Sequence, residues 1–197
     1  MKKIVVVAAI LLSACGVYAY DMTETLVNSN ANNGLYAAPV ARFTQLDGKW
    51  GLMFGGRGGW LIDHTLGIGG AGYGLVQNNI KSDVLDSTGN KAVYGLGYGG
   101  LEMEYFIESD ALMHASITTL LGAGNTGLYE KNSGKSIETS TFYFIEPGIN
   151  FELNVTKNFR VDLAYSHRFV SGIDMVNLTN EKVNGPSISM FFKFGVF

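Results

Sequence analysis

Nine charged side chains fall where a β-strand would turn them to one face: Arg57, Glu102, Glu104, Glu146, Glu152, Arg160, Asp162, Arg168 and Lys193. Charges gathered in a confined space must find partners, because an unpaired buried charge costs several kcal/mol. The four basic and five acidic members of this set nearly balance, which favours mutual pairing over capture of a charged solute. A smaller group is His114-Ala115-Ser116, an imidazole and a hydroxyl on one strand face, with Glu130 further along. Gly95-Leu96-Gly97-Tyr98-Gly99-Gly100 matches G-x-G-x-x-G formally. No helix follows it to hold a pyrophosphate, so it reads as strand glycine that eases curvature, not as a nucleotide loop. His64, His114 and His167 are scattered, and the single cysteine, Cys15, lies near the start of the chain. No metal cluster, cofactor or intramolecular disulfide is therefore expected.

The elements that position these groups are strands. From Phe159 to Phe169, Phe159, Val161, Leu163, Tyr165, His167 and Phe169 alternate with Arg160, Asp162, Ala164, Ser166 and Arg168. A helix would mix the two sets, and a strand separates them. The same period of two runs from Thr141 to Val155, from Met113 to Leu121 and from Ser187 to Val196. Further strands are expected at 36–46, 49–62, 66–76 and 92–107, which makes eight. Pro147 falls on the outward face of its strand, where a local bulge is expected to absorb it. Tight turns at Ile62 to Thr65, Ser109-Asp110 and Thr156 to Asn158 alternate with polar stretches at 77–91, 125–139 and 170–185. Short turns on one side, long loops on the other and an even strand count are the pattern of outer-membrane barrels. The expected fold is all-β, an eight-stranded antiparallel up-and-down transmembrane β-barrel over residues 36–197.

The ends agree with export. Lys2 and Lys3 precede an apolar run from Ile4 to Leu12, far short of the ~20 residues of a spanning helix. Residues 1–19 read as a signal peptide with Val17-Tyr18-Ala19 before the cut, and 20–35 as a polar N-terminal tail. Leu12-Ser13-Ala14-Cys15 offers a second mode, lipobox-type cleavage with lipidation of Cys15. Removing Lys2 and Lys3 from the 14 basic residues leaves 12 against 17 acidic ones, a formal charge of −5 with no basic stripe. A nucleic-acid partner is not expected.

Trp50 and Trp60 share a strand face ten residues apart, as do Phe159 and Phe169. At ~3.3 Å per residue and a tilt near 40°, ten residues span about 25 Å along the membrane normal, the height of the apolar band. With Tyr105 and Tyr143 these residues are the expected aromatic girdles. By this pattern, over nearly all of 36–197, the chain resembles the small eight-stranded outer-membrane proteins such as the membrane domain of outer membrane protein A. The resemblance implies residence in the outer membrane of a Gram-negative cell, with outer-membrane lipids and the outer-membrane assembly machinery as partners. The C-terminal segment Ser189 to Phe197 looks like the assembly signal of such barrels, which ends in Phe. It departs in register, since Lys193 and Gly195 occupy two positions usually apolar.

His114, Ser116 and Glu130 loosely resemble the H-x-S and glutamate arrangement of outer-membrane lipid A deacylases, in which Ser is the nucleophile, His the base and Glu the orienter. Here Ile117 replaces the asparagine of that motif, and the pair faces inward near the periplasmic end. The expected function is non-catalytic: an integral outer-membrane barrel with a structural or surface-interaction role and a lumen filled by charged side chains. The alternatives are a narrow channel or porin-like carrier for a small solute and, more remotely, the deacylase-like enzyme. No loop motif names an extracellular partner.

Overall fold

The computed structural model describes residues 33–76 and 79–197. The expected signal peptide, Cys15 and the tail up to residue 32 lie outside the described residues. Among the described residues the strands are β1 (Gly34–Leu46), β2 (Lys49–Ile62), β3 (Leu66–Leu75), β4 (Lys81–Leu85), β5 (Lys91–Ile107), β6 (Met113–Tyr129), β7 (Ser136–Thr156), β8 (Phe159–Ser171) and β9 (Gly185–Val196), with one short helix, α1 (Asn180–Val183). Antiparallel pairing runs β3-β2-β1-β9-β8-β7-β6-β5, and β3 pairs with β5, closing an eight-stranded barrel. Closure satisfies every strand edge internally, the condition for strands to cross hydrocarbon. The ninth strand, β4, lies outside the ring and pairs with the upper end of β5.

Alternation decides which side chains meet lipid. Leu163 is 52% exposed, and its neighbours across the ladders, Phe151 and Met190, are exposed too. The intervening Asp162 and Ala164 are buried in the lumen. Leu163→Arg should therefore destabilise the barrel by roughly 2–4 kcal/mol, the cost of a guanidinium at the bilayer midplane. Urea titration in lipid vesicles measures it, and an unchanged midpoint would place this face out of the bilayer.

Besides β4, which forms within the polar stretch 77–91 expected as a connection, two features differ from expectation. The stretch 125–139 is mostly strand: β6 runs to Tyr129, β7 starts at Ser136, and only 130–135 turn. Ladder hydrogen bonds hold these mostly polar residues extended above the apolar band, where such a composition reads as loop. Pro147 needs no bulge. Ile145↔Phe169 and Gly148↔Ser166 lie in one unbroken register, and the rungs at 146 and 147 are simply missing on the β8 side. Pairing of Thr119 with Pro147 on the β6 side keeps the strand in frame. The bulge in this ladder falls instead between Asn154 and Thr156.

The connections at one end are short. Asp63 and His64 both take positive φ in the β2–β3 turn. At the other end only the β1–β2 turn is tight, with φ of 51° at Asp47 and 72° at Gly48, as a type I′ hairpin requires. By the usual arrangement the long-loop end faces the cell exterior. Cysteines placed at Asn132 and Asn177 should react with an impermeant thiol reagent on intact cells, while one at Asp110 should react only after lysis. The reverse pattern would invert the barrel.

Candidate functional site: the lumen

The lumen gathers all nine charged residues expected there, and each is buried. In the short-turn half the register sets Glu152 beside Asp162, and Arg160 beside Lys193. Lys193 is the hub, with Nζ 2.8 Å from Glu152 Oε1, 2.9 Å from Asp162 Oδ2 and 3.1 Å from Glu104 Oε1. Arg57 Nη2 closes the other side of the cluster at 2.6 Å from Glu102 and 2.7 Å from Glu104. Ser116 Oγ and Asn150 Nδ2 each donate to Glu104 Oε1 at 2.7 Å, so that carboxylate is held from several directions. Charge-assisted bonds of this length are about twice as strong as neutral ones.

Arg160 is the weakest member. Its Nη1 lies 3.6 Å from Glu152 Oε2, and Nε and Nη1 have no hydrogen-bond partner. Its guanidinium instead stacks 4.1 Å from the centroid of the Phe197 ring. Phe197 also stacks on Tyr36 at 6.4 Å, so the terminal ring turns over the short-turn mouth of the lumen. This explains the departure in the C-terminal segment. Ser187, Ser189, Phe191, Lys193 and Gly195 are the inward set of β9, with Phe197 just past its end, and Ile188, Met190, Phe192, Phe194 and Val196 the outward one.

The long-loop half is built around a residue the sequence reading missed. Arg42 reaches Glu146 Oε1 at 2.5 Å, donates to Tyr98 OH at 2.7 Å and to Ser189 Oγ at 2.8 Å, and stacks 3.8 Å from the Tyr73 centroid. Extending the inward parity to the strand 36–46 would have found it. With Arg42, the lumen set holds five basic and five acidic residues. Among the described residues Arg168 has no carboxylate in ion-pair range, and it donates instead to Val183 O (2.7 and 3.1 Å), Gln45 O (3.2 Å), Thr44 Oγ1 and Tyr98 OH (both 3.1 Å). It thereby ties α1 across the mouth. Above it lies an apolar layer that includes Leu46, Met53, Ile80, Leu128, Leu178 and Val183, all buried. A Cβ on Gly124 would strike both Tyr98 and Phe142, so only glycine leaves room for those rings.

The hydrolase constellation does not assemble. Ser116 Oγ is bound to Glu104 and Glu152, and His114 Nε2 sits 3.4 Å from Glu152 Oε2. Glu130 is at the opposite end of the barrel, past the end of β6, bonded to Ser87 and Ser133. Among the described residues no cluster of three or more His, Cys, Asp or Glu side chains is suited to a metal ion.

Of the six expected girdle residues, Trp60, Tyr105 and Phe159 lie at the short-turn end and Trp50, Tyr143 and Phe169 at the long-loop end. All are exposed or half-exposed on the outer wall. A closed barrel with a charged interior and an apolar outer belt can exist only in a membrane. The class so defined is the eight-stranded outer-membrane β-barrel of Gram-negative bacteria, in contact with outer-membrane lipid. Among solved structures the chain is similar in fold to Neisserial surface protein A, with a TM-score of 0.52 and 15% identity over 85% of this chain and 99% of that one. It is also similar to Ail, the attachment invasion locus protein of Yersinia pestis, in complex with the heparin analogue sucrose octasulfate (0.51; 12% identity over 84% and 98%). A third is the outer membrane protein OprG of Pseudomonas aeruginosa (0.50; 10% identity over 87% and 99%). No family model and no curated protein matches the sequence.

Proposed function

We propose that this barrel serves as a structural or surface-interaction element of the outer membrane and neither conducts solutes nor catalyses a reaction. The observation that carries the reading is the two-layer filling of the lumen. Ten buried charges are arranged as five of each sign, and the apolar layer fastened by Arg168 lies above them. An eight-stranded barrel is only wide enough for its own side chains or one small ligand. A solute would have to break several buried ion pairs at once to pass. The two rings of aromatic residues act as girdles that set the depth of the barrel, and the outward apolar set of β9 is what the assembly machinery reads. The surface role falls to the ordered long-loop end, where Glu130 of one loop accepts a hydrogen bond from Ser87 of another at 2.6 Å.

Planar-bilayer recording of the refolded protein tests the reading. The expected trace is a closed membrane with no unitary current. Reproducible ohmic steps at moderate voltage would overturn it in favour of a narrow channel.

A further inference from the structure

The barrel wall has a gap near its outer rim. The β3–β5 ladder stops at Gly74↔Gly97, and β4 takes over only at Val93. Between these points Tyr94 N donates to Ile80 O at 3.0 Å, and a cavity of about 810 Å³ opens in the wall. That volume is within the range of ligand sites. Leu75, Val93 and Gly97 line it on the barrel side, and its rim carries Asn125, Tyr129 and the 130–134 turn.

The rim chemistry is selective. Glu130 accepts from Ser133 Oγ at 2.5 Å and from Ser87 Oγ at 2.6 Å, which fixes the carboxylate and leaves each oxygen a second acceptor site. These bonds hold its pKa below the usual carboxylate range, so it is an anion at neutral pH. Beside it Asn125, Lys131 and Asn132 are exposed along the rim. A fixed carboxylate repels anionic ligands, and Lys131 repels cationic ones. Two amides, a carboxylate and the half-buried ring of Tyr129 instead suit a neutral, hydroxyl-rich ring, whose hydroxyls both donate and accept and whose C–H face packs on an aromatic. The site lies beyond the outer ring of exposed aromatics, outside the apolar band.

We propose that this wall cavity is a saccharide-binding site, taking a sugar of one to three rings, free or as the headgroup of a glycolipid. Nothing in the reading of the lumen requires it. Gly97 supplies the decisive variant, because a Cβ there would meet only Tyr73 O at 3.8 Å. Gly97→Leu therefore adds an apolar side chain at the cavity with no clash at its Cβ.

The test uses the whole barrel in nanodiscs free of glycolipid, titrated in one arm with soluble maltotriose, a neutral sugar of three rings, and in the other with a neutral diglycosyl diacylglycerol carried in the bilayer. Amide chemical shifts at Tyr129 to Gly134 are the readout, and unchanged thermal midpoints show that the variants fold. Saturable shifts in that turn are expected, with affinity reduced at least about tenfold in Gly97→Leu and in Asn132→Ala. Saturation in both arms assigns the site to the sugar alone, and in the second arm only, to the membrane glycolipid; both support the proposal. No saturation in either arm, or parental affinity in both variants, would overturn it.

Discussion

Lys193→Met is expected to be the most damaging single change in this barrel. Its Nζ is the shared partner of Glu104, Glu152 and Asp162, all buried, and methionine keeps the stem while removing the charge. Breaking a buried pair from one side costs roughly 3–5 kcal/mol, because the stranded carboxylates remain in a low-dielectric space. Adding Asp162→Asn should recover part of the loss, since one stranded charge goes with it. A double-mutant cycle in urea measures that coupling. The same cycle on Arg160→Met and Glu152→Gln should give clearly less, because the guanidinium is 3.6 Å from its carboxylate and stacked on Phe197. Coupling near zero at Lys193, with the single variants as stable as the parent, would mean that the lumen is hydrated there.

The second large effect is expected at Arg168, whose removal should open the outer mouth. Arg168→Met strands the carbonyl oxygens of Val183 and Gln45, at about 1–3 kcal/mol for each buried acceptor left unbonded. It also removes the clasp on α1, so the packing of Leu178 and Val183 over the lumen loses its anchor. Hydrogen exchange should rise across 172–184 well before the strands open, and the same variant should pass current in planar bilayers if the apolar layer is the seal. Unchanged protection of that segment would show that apolar packing alone holds it.

The period of two, the apolar stretches of about ten residues and the alternation of short and long connections were enough to read an eight-stranded barrel with a charged interior. These are properties of a pleated strand with one face in lipid, and every strand carries its own copy of the signal. Arg42 escaped because β1 is mostly small and apolar on both faces, so a single inward charge left no pattern around it. The upper ends of β6 and β7 escaped because their residues are largely polar on both faces, and the buried Leu128 by itself sets no alternation.

Which charges meet was settled only by the fold. Parity along one strand says inward or outward, whereas contact across the lumen depends on how eight strands stagger as the sheet closes. By adjacency across the 156–158 turn alone Glu152 would pair with Arg160, but closure brings Lys193 from the last strand between Glu152 and Asp162 and leaves Arg160 at the mouth. The wall cavity has the same origin. No residue in it announces a site, and it exists because β3 ends before β4 begins to pair with β5. Local hydrogen-bonding geometry repeats every two residues and is written in the chain; stagger and closure belong to the whole sheet.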